Sequence, residues 1–298
     1  MITRSHGVSR DPVGALLAEV FPYQHVLRAD IAADLRCCRV LLIDPPDKSF
    51  FGNVVELAIG LALCDQSPYL DLLRCLDHAL AKRVLTIAAY RPIIDPVTPY
   101  DAWHRIDSAP HPARIFTAAS RLAYVRNLVN DLDRRRFDAG DVARDLLERH
   151  PRLLIGRPTE IYHTRRAFRT VWDSYSSGFH SALRSYGTAT GQLSLLDGHR
   201  HADFLLGTTL LEVKSGRLDE DTYLDELIRQ ILTYALLARH DGHHVTHVAV
   251  YAVRYQRLLR YRIDELTNQL AGAPIDLAFT GADLAALIRD RSRQEPTA

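Results

Sequence analysis

The 298-residue chain reads as an α/β protein, and three features say so. Two short β-like runs, "ADFLL" (202–206) and "TLLEV" (209–213), lie among glycines. The stretch "DEDTYLDELIRQILTYALLARH" (219–240) has a helix's length and periodicity, with acidic residues at its start as the helix dipole prefers. "HVAVYAVRY" (247–255) is an apolar run of the kind that fills a fully buried strand, and "RLLRYRID" (257–264) reads as a further strand. Strands and helices in this order, around a mainly buried sheet, indicate a layered α/β architecture.

Upstream, "VGALLAEVF" and "VLRADIAADL" read as helices, and "CRVLLID" (38–44) as a short strand that "PPDKS" breaks. "FFGNVVELAIGLAL" (50–63) has the length and apolar density of a buried helix. From about 67 to 186 the pattern is largely helical, interrupted by prolines near 92–99 and 110–112, and contains no convincing run of strands. Phe168, Val171, Trp172, Tyr175, Phe179 and Leu183 form one apolar stripe of a long helix. "GTATG" (187–191) reads as a flexible turn.

Composition excludes some classes of function. With 37 Lys+Arg against 36 Asp+Glu, the net charge of +1 gives no global basic field, so a polyanion would have to meet a local basic surface. Arg165, Arg166 and Arg169 form one such cluster, either the solvated end of a core helix or a phosphate-contacting patch; "DRRR" (133–136) invites the same two readings. The start lacks a signal peptide's apolar core and no stretch is long enough to span a bilayer, so a cytoplasmic protein with no membrane partner is expected. Cys37, Cys38, Cys64 and Cys75 contain no CxxC pair and read as reduced structural thiols. His240, His243, His244 and His247 mimic a zinc spacing but fall where loop histidines are common. There is no GxSxG elbow and no P-loop, so a motor would be a separate chain.

The chain holds only three lysines, Lys48, Lys82 and Lys214, against 34 arginines. Lys214 lies two residues after Glu212, so on a strand both share a face while Val213 points into the opposite layer. If the two strands pair as a hairpin through "GTT", Asp203 comes beside Glu212. Two carboxylates there suit a hard divalent cation, and a lysine beside them would orient or deprotonate water, which an arginine cannot do. The bland alternative is an exposed salt-bridge ladder, against which stand the apolar flanks. On the next helix, Gln230 and Tyr234 are four apart and share a face.

In these parts the chain resembles the PD-(D/E)xK nuclease superfamily, and within it the RecB-type and CRISPR-adaptation exonucleases. The resemblance is carried by Gly198 and Asp203, then "EVKSG", then Gln230 and Tyr234, in the family's order. More loosely, "GNVVE" supplies Gly52 and Glu56 as a G-x-x-x-E helix. The resemblance implies a restriction-endonuclease-like core, a mixed central sheet flanked by helices, with a large, mostly helical insertion. It implies an N-terminal helical segment (1–48), a first core helix (49–66), the insertion (67–190), the catalytic core (191–275) and a C-terminal helix or tail (276–298). It implies Mg²⁺ or Mn²⁺ ligated by Asp203, Glu212, the Val213 carbonyl and Glu56; for Glu56 the alternative is a partly exposed helix residue. Lys214 would serve the nucleophilic water, Gln230 would hold the lysine or water, and Tyr234 would approach the nucleic-acid backbone. Ala202 replaces the usual proline, and the cysteines do not follow the family's iron–sulfur pattern, so no cluster is expected.

The implied function is a metal-dependent deoxyribonuclease in DNA repair, restriction or phage defence, with a separate helicase or defence subunit as a conceivable partner. Two alternatives stand beside it: a nucleic-acid-binding scaffold subunit of nuclease fold, and a nuclease acting on RNA.

Overall fold

In the computed structural model, residues 11–41, 45, 47–92, 102–106, 111–133, 139–155, 158–218 and 220–294 are described. In chain order the elements are helices α1 (Pro12–Val20), α2 (Gln24–Arg36), α3 (Lys48–Leu63), α4 (Leu70–Arg74) and α5 (His78–Ile87), then strands β1 (Tyr90–Pro92) and β2 (Trp103–Arg105). Helices α6 (Pro112–Asp133), α7 (Ala139–Arg149), α8 (Pro158–Ser174) and α9 (His180–Arg184) follow. The remainder is β3 (Ala189–Leu195), β4 (Arg200–Leu206), β5 (Thr209–Lys214), α10 (Asp221–His240), β6 (His247–Ala252), β7 (Arg257–Arg262), α11 (Ile263–Ala271) and α12 (Leu277–Gln294).

The main sheet is five-stranded and mixed, in the order β3-β4-β5-β6-β7, and only the β5–β6 pair is parallel. Parallel neighbours need a long crossover, and α10 supplies it. Central β5 carries Leu210, Leu211 and Val213 beside the polar Thr209, Glu212 and Lys214. Leu211 and Val213 face one core with α3 and the helices α5 to α8. Leu210 faces a second core with α1, α2, α10, α11 and α12. The helices between α3 and β3 thus share a core with one face of the sheet, and the N-terminal helices cover the other face.

Several expectations are adjusted. The "GTATG" turn instead begins edge strand β3, because Ala189, Thr190 and Gly191 pair with Leu206, Leu205 and Phe204. "CRVLLID" forms no strand over 38–41, where only the Leu41 N–H bonds across to the Arg254 carbonyl; 42–44 lie outside the described residues, as does most of "DRRR". The stripe from Phe168 to Leu183 runs along one continuous helical stretch, in which a π-helical turn at Tyr175–Phe179 joins α8 to α9. The prolines near 92–99 and 110 fall largely outside the described residues, but β1 and β2 beside them form a small antiparallel pair. No helix among the described residues is long and apolar enough to cross a membrane.

Candidate active site

The site begins with the β4–β5 hairpin. Its two-residue turn places Gly207 at φ +57°, a left-handed conformation that glycine adopts without strain. Leu206, Leu205 and Phe204 pair with Thr209, Leu210 and Leu211, a register that sets Asp203 opposite Glu212. At that step the ladder stops. Asp203 Oδ2 instead accepts the Val213 N–H at 2.7 Å.

The pairing on the other side of Asp203 is interrupted as well. β3 pairs with β4 on either side of Gln192 but not at it, and Gln192 holds φ +49°. A non-glycine residue there costs about 1 kcal/mol or more. Along β4, Ala202 belongs to the α10 core and Phe204 to the α3 core, so the strand changes facing at Asp203. Asp203 therefore sits in a notch of the sheet between its two layers.

From the α10 layer comes a closed network. Lys214 Nζ donates to Glu212 Oε1 and to Gln230 Oε1, each at 2.7 Å. Gln230 Nε2 donates to Glu212 Oε1 at 2.7 Å and to the Tyr234 hydroxyl at 3.0 Å. Strand alternation and helical spacing produce this arrangement, for Glu212 and Lys214 share a strand face and Gln230 and Tyr234 a helix face. Helix α10 is anchored by Leu224, Leu227, Ile228 and Ile231 in the core, which fixes that face against β5.

From the other layer comes Glu56 on α3. Asp47 caps this helix by accepting the Phe50 N–H at 2.9 Å. A side chain at position 52 would come within 2.9 Å of Ser215 Oγ, so Gly52 lets α3 lie against the end of β5. The resemblance makes Glu56 a metal ligand, but the structure gives its carboxylate another partner. Arg126 Nη1 on α6 donates to Glu56 Oε2 at 2.7 Å. Both side chains are mostly buried, at 14% and 19% exposed. The Arg126 guanidinium also lies 5.7 Å from the centre of the Tyr69 ring, whose hydroxyl donates to the Glu56 carbonyl at 3.2 Å. Reading the sequence missed Arg126 and Tyr69. Arg126 is one arginine among 34, on a helix with no motif.

Burial raises the Asp203 carboxyl well above the usual carboxylate range, helped by the charges of Glu212 and Glu56 and opposed by Lys214 and the Val213 N–H. Burial raises Glu212 too, against the pull of Lys214 and Gln230. Burial works against the Lys214 ammonium, yet Glu212 and Asp203 hold it above the ordinary lysine value.

Comparison with protein-family models, curated proteins and solved structures finds no match to this chain.

Among the described residues no group of three His, Cys, Asp or Glu stands close enough to hold a metal ion, the four histidines at 240–247 included, and Arg126 engages Glu56. Two carboxylates nonetheless suit a cation. Glu212 Oε2 is fully buried and has no hydrogen-bond partner, a costly state for a carboxylate oxygen. In a strand a residue's C=O leaves from the same edge as its N–H, so the Val213 carbonyl also points to the edge where Asp203 sits. Asp203, Glu212 and the Val213 carbonyl are hard oxygen donors of the type Mg²⁺ and Mn²⁺ prefer.

Beside the network lies a cavity of about 410 Å³ lined by Lys48, Lys214, Arg217, Tyr223, Gln230 and Arg254, among others. Two of the three lysines thus face one space. Arg165, Arg166 and Arg169 are exposed on α8, outside the carboxylate cluster.

Proposed function

We propose that this chain is a metal-dependent phosphodiesterase acting on DNA, with a restriction-endonuclease-like core. The observation that carries the reading is the partnerless, buried Glu212 Oε2 beside Asp203, with the other oxygen of Glu212 bound by both Lys214 and Gln230. A carboxylate buried with one oxygen vacant is costly unless something positive meets it. Asp203, Glu212 and the Val213 carbonyl would hold a divalent cation, which when bound supplies charge for the phosphoryl oxygens and a water of lowered pKa.

The residues of the chain have separable tasks. Gln230 fixes Lys214 and Glu212 at once, since its two amide ends point to different partners. Lys214 remains protonated beneath the two carboxylates, so it serves as a cation and donor toward the phosphate and the attacking water, and not as their base. Tyr234 ends the network and, its hydroxyl raised by burial and by Glu212, stays neutral. Lys48, Arg217 and exposed Tyr223 offer the adjacent backbone two cations and a stacking face. The exposed arginines of α8 would provide further phosphate contacts.

Cleavage of single- and double-stranded DNA and of RNA with Mg²⁺ or Mn²⁺, by wild type, Asp203→Asn and Lys214→Ala, tests the assignment. Each substitution is expected to reduce DNA cleavage by about 10²-fold or more, the scale of removing one group that meets developing charge. DNA cleavage that survives both removes the reading, and cleavage of RNA alone moves it to the other substrate.

A further inference from the structure

We propose that Arg126 stands where a second metal ion would otherwise bind, so that this site takes a single divalent cation. The inference rests on reading the chain as a metal-dependent nuclease, and it concerns a residue outside every motif that suggested that reading.

The geometry has three parts. The Glu56 carboxylate on α3 adds to the negative charge around Asp203, and its Oε2 is held by Arg126 Nη1 at 2.7 Å. The arginine is held in turn: Tyr69 lies beneath its guanidinium, and Asn53 Oδ1 accepts from Nη1 at 3.5 Å while its Nδ2 donates to Asn127 Oδ1 at 2.7 Å. A Cβ at Gly52 would meet Ser215 Oγ at 2.9 Å and one at Gly60 would meet Phe204 Cε1 at 2.8 Å, so Glu56, on the same face of α3 between them, lies over β4 and β5 with its arginine. A guanidinium fixed on the Glu56 carboxylate takes the oxygen that a second cation would need.

Charge balance agrees. Glu56, Asp203 and Glu212 carry three negative charges when ionised, and Lys214 and Arg126 are two cations built into the cluster. One divalent ion leaves a single positive charge, which one phosphodiester neutralises. A second would leave a surplus of three positive charges in a buried setting, where unpaired charge is costly. Removing the Arg126 charge frees the Glu56 carboxylate for another cation and lowers the surplus that two ions would leave from three positive charges to two.

The test is a count of Mn²⁺ bound to the full chain, by calorimetric titration and by the EPR signal of free and bound Mn²⁺. Wild type is expected to bind one ion and Asp203→Asn none. Arg126→Gln keeps a donor for Glu56 without the charge and is expected to bind two, with spin coupling between them, while Arg126→Lys returns the count to one. An arginine with only a packing role would change stability and leave the count alone. Two ions on wild type, or one on a folded Arg126→Gln, overturns the proposal, and the wild-type count needs no variant. Two ions together with DNA cleavage remove this inference and leave the nuclease reading standing, whereas no manganese binding at all removes both.

Discussion

The Asp203 carboxylate and the Val213 N–H are joined at 2.7 Å, so an acid side chain closes a rung of the sheet that a backbone carbonyl would ordinarily fill. The bond holds Asp203 in place where Glu212 and Glu56 add negative charge, at a cost set by pH. Folding raises Asp203 and Glu212, so above the usual carboxylate range the folded chain keeps protons that the unfolded chain has released. Stability from these groups is present at low pH and is lost as pH rises through the raised values. With chelator present, urea denaturation from about pH 4 to about pH 8 should show wild type losing stability relative to Asp203→Asn. A difference that stays flat or grows with pH contradicts the burial of this charge.

Lys214→Arg should disable the site as thoroughly as Lys214→Ala while leaving the chain folded. Lys214 places one ammonium 2.7 Å from both Glu212 Oε1 and Gln230 Oε1, a point-charge geometry that a planar fork does not reproduce. Cleavage rates and circular dichroism of the two variants check this. An arginine variant within threefold of wild type would show that charge alone suffices.

Gly60→Ala should destabilise the chain by about 1–3 kcal/mol, the cost of overpacking a close-packed interior. A methyl group there overlaps the Tyr69 hydroxyl and comes within 2.8 Å of Phe204 Cε1. Tyr69 supports both Glu56 and Arg126, so the cleavage rate should fall with the stability. Chemical denaturation and rate measurement on the same preparation separate the two effects.

The four cysteines should divide by position. Cys37 is exposed at the end of α2, whereas Cys64 and Cys75 are buried and burial pushes the Cys64 thiol up to about 12. Alkylation followed by peptide mass spectrometry should label Cys37 in the folded chain and Cys64 only after denaturation. Early labelling of Cys64 would mean that the end of α3 opens.

Much of the site was legible because its chemistry is local. The spacing of Glu212 and Lys214 needs only a strand, that of Gln230 and Tyr234 only a helix, and each pair does share a face. Hidden in the sequence was β3, whose "GTATG" start is rich in turn formers; pairing with β4 overrides that local preference. The π-helical turn at Tyr175–Phe179 was equally hidden, since its apolar residues keep a helical spacing and the widened turn shows only in the backbone.

The sequence by itself determined the layered α/β class, the strand bearing Glu212 and Lys214 and the helix that faces it, because periodicity within one element dictates which residues share a side. Only the tertiary structure decided that Asp203 occupies an interrupted rung beside Gln192, and that Glu56 is claimed by an arginine 70 residues away. Each of those contacts depends on how two separate elements pack, and nothing in the periodicity of either one specifies its partner.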